Sequence, residues 1–331
     1  MKMMTYAAAV RSALIEEMDR DPSGLLLGED VGTYGGVFTA TRSLLERYGE
    51  ERVIDTPISE AAIAGVSVGM AMCGLRPVAE IMYEDFVTIS LDQLVNNAAK
   101  MHYMFDGTVC VPMVLRTQCG SGRGSAAQHS QSLEAWFAHV PGLIVIMPST
   151  PEDAYGLLKS AIRNDNPVVF IEHKMLYFTK GPLTDTECIP IGKADVKREG
   201  SDITVIATSW MVPRALAAAE QAAREGISVE VIDPRTLRPF DADTVLSSVR
   251  KTRKAIIVHE AVRFGGIGAE ISSIINEALF HELDAPALRL CGSDAPIPYS
   301  AALEPHVVPT EEQIYAAIAG MAGREERPDA D

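Results

Sequence analysis

Short β-branched or apolar runs alternate with longer segments of helical spacing along this chain. That alternation constrains its fold more than any other feature. The first series of runs is Leu25–Leu27, Val53–Asp55, Pro77–Ile81, Met113–Arg116, Leu143–Met147 and Val168–Glu172. The spacing predicts helices over 5–19, 59–73, 87–104 and 151–164. Helix 151–164 has a clear start, with Thr150 as N-cap, Pro151 at the first position and Glu152 and Asp153 in the first turn. Strands separated by helices imply a parallel sheet covered on both faces. After about residue 174 the pattern lapses into a stretch rich in Gly, Pro and charge, and a second alternation follows. Its strands are predicted at Ile203–Thr208, Val229–Ile232, Ala255–His259 and Leu288–Cys291, with helices over 212–225, 242–250, 267–281 and 311–320. The expected fold is α/β, two doubly wound domains in tandem. The expected boundaries are 1–180, a linker over 181–201, a second domain over 202–323 and a flexible tail over 324–331.

A length of 331 residues suits two domains, each able to bury its own core. The chain sets 29 Lys and Arg against 45 Asp and Glu, a formal net charge of −16. This argues against a nucleic-acid binder, whose affinity rests on cationic side chains at phosphates. The five cysteines are scattered and form no Cys-x-x-Cys pair, so buried reduced thiols are expected and neither a zinc knuckle nor a redox motif is. The first residues read as an amphipathic helix, not a signal peptide. The most apolar run, Ala61 to Cys73, falls short of the roughly 20 residues that cross a bilayer. No membrane association is expected, and a cytoplasmic location is.

Individual motifs are weak by themselves. Gly120-Ser-Gly122-Arg-Gly124 and Gly266-Ile-Gly268 miss the dinucleotide-binding spacing, and no phosphate-binding G-x-x-x-x-G-K-[ST] occurs. Neither a nucleophile elbow nor a His–carboxylate metal cluster is present. Glu60 has two readings. It suits the first turn of helix 59–73, with Ser59 as N-cap. As an acid heading a wholly apolar helix, it also suits proton chemistry. Spacing alone favours capping. His129 lies in a glycine-rich loop after a strand end, where parallel sheets place ligands, although a lone loop histidine is more often a surface residue. The run Glu29-Asp-Val-Gly-Thr-Tyr-Gly-Gly-Val-Phe38 is a turn or a place of close approach to a ligand. Helix 59–73, with Gly65 and Gly69 four residues apart, reads either as a core helix buried on all sides or as a helix at a subunit interface.

In order along the chain stand GEDVGTYGGVF, RVIDTPISEAAIAGVSVGMAMCGLRPVAEIMYEDF, DQLVNNAAKMHYM, SAAQHSQSLEAWFAHVPGL, MPSTPEDAYGLLKSAIRNDNPVVFIEH, VIDPRTLRPFD and FGGIGAEI. With these segments the chain resembles the β subunits of thiamine-diphosphate-dependent 2-oxo acid dehydrogenases, over about residues 5–320. The resemblance implies a pyrimidine-binding domain followed by a transketolase C-terminal-type domain. It makes Glu60 the carboxylate that hydrogen-bonds the cofactor's pyrimidine ring, with Met82 and Phe86 packed beside that ring. It makes His129 the histidine that faces substrate and the lipoyl arm, a candidate proton donor to the leaving sulfur. Met113, Ala161, Ile162, Asn164 and Asn166 match positions where some relatives bind a potassium ion, largely through backbone carbonyls.

The family's G-D-G…N motif, which holds the cofactor diphosphate and Mg²⁺, does not occur here. In two-chain members it lies on the α subunit. The resemblance therefore implies an α2β2 heterotetramer in which this chain holds half of each active site. The expected reaction is decarboxylation of a 2-oxo acid, pyruvate first among them, with acyl transfer to the lipoyl group of an acyltransferase core. Acetoin cleavage, half of a split transketolase and a non-catalytic docking subunit are the alternatives. An acidic surface is expected to dock the basic subunit-binding domain of that core.

Overall fold

A computed structural model describes residues 2–184 and 188–323. The chain divides into two compact units, one of residues 1–120 and 128–191 and the other of 121–127 and 192–331. The tail expected to be flexible, 324–331, lies outside the described residues.

The strands of the first unit are β1 (Lys2–Thr5), β2 (Gly24–Gly28), β3 (Val53–Asp55), β4 (Arg76–Ile81), β5 (Val114–Cys119), β6 (Ile144–Ile146), β7 (Val168–His173) and β8 (Lys180–Leu183). Its main sheet runs β6-β7-β5-β4-β2-β3, every pair parallel. β2, β5 and β7 are buried along their whole length, as expected for strands covered on both faces. Helices Tyr6–Arg20 and Pro151–Arg163 pack together, and Arg163 pairs with the buried Glu17 at 2.8 Å. Thr150 caps the second of them, accepting from the Asp153 N–H at 3.1 Å.

A buried charge cluster ties the central strands. Arg116 on β5 is fully buried, with Nη1 2.7 Å from Glu80 on β4 and Nη2 2.6 Å from Glu172 on β7. Gln118 adds a bond to Glu80, and the Tyr177 hydroxyl donates to Glu172. Burial works against the Arg116 charge, but Glu172 and Glu80 hold the guanidinium firmly protonated.

The second unit contains β9 (Asp195–Arg198), β10 (Ile203–Ala207), β11 (Val229–Asp233), β12 (Thr236–Arg238), β13 (Ala255–Val262) and β14 (Leu288–Gly292). The order is β14-β13-β10-β11-β9, parallel except for β9, which runs antiparallel to β11. Its core joins β10, β11 and β13 to helices Met211–Arg224 and Glu311–Met321.

Several expectations need correction. The stretch 181–201, expected to be linker, carries most of β8 and all of β9, and β8 pairs antiparallel with β1. The helix expected over 87–104 is four short pieces, Glu84–Val87, a 3₁₀ turn Thr88–Ser90, a π-helical segment Gln93–Ala98 and Met101–Met104. The polar side chains of this run compete for the backbone. Thr88 and Ser90 donate back to the Asp85 and Val87 carbonyls, and Asn97 donates to the Asp92 carbonyl. Helix Glu60–Met72 is not buried on all sides: Ala62, Val66, Gly69 and Met72 form an exposed stripe. Ser59 makes no side-chain capping bond. Of the cysteines only Cys119 is buried, while Cys73 and Cys110 are exposed.

Candidate active site

The parallel sheet of the first unit gathers the expected residues at the carboxyl ends of its strands, where open α/β sheets place ligands. Glu29 follows β2, and Glu60 heads the helix after β3. Met82 to Phe86 follow β4, the loop from Gly120 follows β5, and Lys174 follows β7.

Glu60 is buried at the start of its helix. Beside it Glu29 is also buried, and one of its carboxylate oxygens finds no hydrogen-bond donor. Burial, then the charges of Glu60 and Asp30, push the Glu29 carboxyl above its ordinary range. The loop after Glu29 is pinned by Asp55, which accepts from the Gly32 and Thr33 N–H groups at 2.6 and 2.9 Å. Gly36 adopts φ +74°, and a Cβ there would lie 2.9 Å from the Thr41 hydroxyl, so the turn needs glycine.

Met82 and Phe86 are half-buried. The His129 ring meets Phe86 edge-on at 5.2 Å between centroids and Tyr83 at 5.6 Å. The buried Lys174 Nζ donates to the Gly120 carbonyl at 3.0 Å and to the His129 carbonyl, and it lies over the Tyr83 ring. Gly120 is held at φ +89° against His173, and a Cβ on it would fall within the imidazole. His129 is thus held through its backbone carbonyl and by ring contacts with Phe86 and Tyr83, not left on a loose surface loop. Within the second unit, Ser121 of the same glycine-rich run donates to the buried Glu260 at 2.6 Å.

Sequence reasoning missed Glu29 as a site carboxyl, and it missed Lys174 and Tyr83 altogether. Their one legible signal is position immediately beyond strands of a parallel sheet.

A buried carboxyl at the head of an apolar helix, a second carboxyl with one oxygen lacking a donor, and the half-buried Met82 and Phe86 at the same sheet end fit an aminopyrimidine, which has polar edges and apolar faces. The potassium positions lie elsewhere in the unit, and four of their five carbonyls, those of Met113, Ala161, Ile162 and Asn164, accept hydrogen bonds. Met113 O accepts from Val168 N, and Ala161 O accepts from Asn164 N. Arg76 Nη1 donates to Ile162 O and Asn164 O at 3.0 and 3.1 Å, while Asn166 N donates to the Asn164 side chain. Among the described residues no group of three His, Cys, Asp or Glu side chains is placed to hold a metal ion.

Residues 2–180 match the transketolase pyrimidine-binding domain, and residues 192–314 match the transketolase C-terminal domain. The chain is 48% identical over 321 residues to the pyruvate dehydrogenase E1 component subunit beta-2 of Oryza sativa, covering 96% of this chain and 85% of that one. It is 46% identical to the 2-oxoisovalerate dehydrogenase subunit beta of Bacillus subtilis, covering 97% and 99%. A solved split-gene transketolase, an inactive β4 tetramer, superposes with TM-score 0.79 over 98% of this chain and 99% of that one. At 21% identity it speaks for the fold alone. With two domain matches in tandem and relatives 46% and 48% identical over nearly the whole chain, the chain belongs to the transketolase-type family of 2-oxo acid dehydrogenase E1 β subunits.

Proposed function

We propose that this chain, assembled with an α subunit as an α2β2 heterotetramer, decarboxylates pyruvate and transfers the acyl group to a lipoyl group on an acyltransferase core. The observation that carries the reading is the sheltered Glu60–Glu29 carboxyl pair at the same sheet end as the His129 loop. Thiamine diphosphate, when bound, supplies the electron sink for decarboxylation. Glu60 hydrogen-bonds its pyrimidine ring and sets the proton there, and Met82 and Phe86 exclude water from the ring's faces. His129, oriented by Tyr83 and Phe86, gives a proton to the leaving lipoyl sulfur. Mg²⁺ and the cofactor diphosphate fall to the α subunit. The exposed apolar stripe of helix Glu60–Met72 suits contact with that subunit, and the charge of −16 suits a basic domain of the core.

A potassium ion at 161–166 would share the Ile162 and Asn164 carbonyls with Arg76 and would serve only to hold that loop. Equal melting temperatures in potassium and tetramethylammonium chloride would remove even this role.

Reconstitution with an α chain carrying G-D-G…N tests the whole reading. We expect Glu60→Gln to fold normally and lose about 10²- to 10⁴-fold in turnover; normal turnover would end the proposal. His129→Ala should impair lipoyl acylation more than decarboxylation read with an artificial oxidant, and equal losses would remove its lipoyl role. The rice and Bacillus relatives are named for pyruvate and 2-oxoisovalerate, so the substrate panel includes both, with acetoin.

A further inference from the structure

The His129 side chain is only half-buried, yet the backbone that carries it is gripped by two buried charged residues that the proposed chemistry does not use. Lys174, 1% exposed, follows β7. Its Nζ donates to the His129 carbonyl and, at 3.0 Å, to the Gly120 carbonyl. Asp85, 5% exposed, lies in the turn after β4. Its Oδ1 accepts from the Gln131 N–H at 3.2 Å and from the Gln131 side-chain amide at 2.9 Å. Ser130, between the two points of attachment, is buried.

The polarity of this grip follows that of the peptide chain. The ammonium takes a carbonyl, and the carboxylate takes an N–H two residues further on. Hydrogen bonds with one ionised partner are about twice as strong as neutral ones, and here they offset part of the cost of burying both charges. Backbone bonds close the base of the same loop: Gly120 N–H donates to the Gln131 carbonyl at 3.0 Å, and Lys174 N–H to the Cys119 carbonyl at 3.2 Å. The grip extends to the rings. Lys174 Nζ lies 4.6 Å from the centre of the Tyr83 ring, whose edge contact with His129 spans 5.6 Å. Asp85 is the chain neighbour of Phe86, which meets the imidazole at 5.2 Å.

We propose that Lys174 and Asp85 are positioning residues for acyl transfer, holding the His129 imidazole in the orientation from which it protonates the leaving lipoyl sulfur. They act through His129. A neutral side chain of similar length at 174 fills the same space but releases the His129 carbonyl, so the imidazole is set by its ring contacts alone. Misplacement of a reacting group by 1 Å costs on the order of 10²-fold in rate. Because it deepens the role proposed for His129, this inference rests on that reading.

The test uses the reconstituted α2β2 holoenzyme. Lys174→Met should lose roughly tenfold or more in lipoyl acylation relative to decarboxylation read with an artificial oxidant. The loss should fall on kcat for acylation and not on KM for the lipoyl-bearing substrate. Asp85→Ala should show the same selective loss, and Asp85→Asn, whose oxygen still accepts from Gln131, should regain most of it. Should Lys174→Met not assemble, the Asp85 variants decide on the same ratios. Combined with His129→Ala, Lys174→Met should cost no further acylation, because a residue acting through His129 then has nothing to position. Additive losses, or a wild-type ratio of the two activities in Lys174→Met, would overturn the proposal. If His129→Ala itself leaves acylation intact, the histidine's role fails. Hydrogen exchange in peptides spanning 120–131 then decides the grip: faster exchange in Lys174→Met upholds it, and unchanged exchange removes it too.

Discussion

The two units bury polar groups in contrasting ways. In the second unit the buried carboxylates are answered: Glu230 by Lys251 and the Gly200 N–H, Asp241 by the Ala194 N–H and Thr244, and Asp233 by the Arg235 N–H. In the first unit Glu29, Glu84 and Asp85 each bury a carboxylate oxygen that meets no donor, and all three lie beyond strand ends of one sheet. Left unanswered, such groups cost stability. Their concentration at one sheet end marks the place where a ligand, or a proton, completes the structure. The second unit has its own exceptions, the buried Ser121 and Ser209 hydroxyls and the fully buried ring of His259. The imidazole's chemistry is opposite in sign.

The largest effect on this contrast should come from Arg116→Leu. It leaves Glu80 and Glu172 as uncompensated buried acids, and we expect a loss of about 3–5 kcal/mol in denaturant unfolding. A loss below about 1 kcal/mol would show that the cluster is far better solvated than its burial indicates.

Next in size is a pH response that should differ between the units. Burial, then Arg289, pulls the His259 imidazole from its ordinary 6.5 to about 4. Between those values the unfolded chain binds the proton and the folded one does not. Stability is therefore intact above about 6.5 and falls as the pH drops through 4, by roughly 3 kcal/mol in all. Glu84 works the other way. Its native state keeps a proton that the unfolded chain releases above about 4.5, so that contribution is lost as the pH rises through the folded value. Peptide-resolved hydrogen exchange should show the second unit loosening in acid, with His259→Leu flattening the change, and the helix Glu84–Val87 loosening in alkali. The same direction in both would dissolve the contrast.

The smallest effect concerns helix starts. Thr310 forms a reciprocal capping box with Gln313, whereas Ser59 makes no capping bond. Thr310→Ala should cost about 1 kcal/mol, and Ser59→Ala less than about 0.5 kcal/mol. Equal costs would restore the capping role that sequence spacing assigned to Ser59.

What was readable beforehand follows from range of interaction. Strands β2, β5, β7, β10 and β11 declare themselves because both faces are covered and the apolar run is continuous. β8 and β9 carry Lys, Pro and Arg at partly exposed edges, so nothing in their composition distinguishes them from loop. The 87–104 stretch has helical spacing, but its hydroxyl and amide side chains divert backbone groups into tighter and wider turns. Glu60 and His129 stood out through their segments. Glu84, Lys174 and Arg116 did not, because their importance lies in burial beside residues far away in the chain. Arg116 meets partners 36 and 56 positions distant, a relation that local pattern does not carry.

The Arg116 cluster has a consequence for how the sheet is assembled. Side chains alternate faces along a strand, so sliding β5 by one residue against β4 or β7 would turn the guanidinium to the opposite face. Glu80 and Glu172 would then be entombed without a counterion, while most of the apolar contacts between these interchangeable aliphatic strands would survive. Hydrophobic packing alone discriminates poorly among such registers. The three charges act as a key that admits one alignment of the central strands, and with it one arrangement of the loops that hold the candidate site.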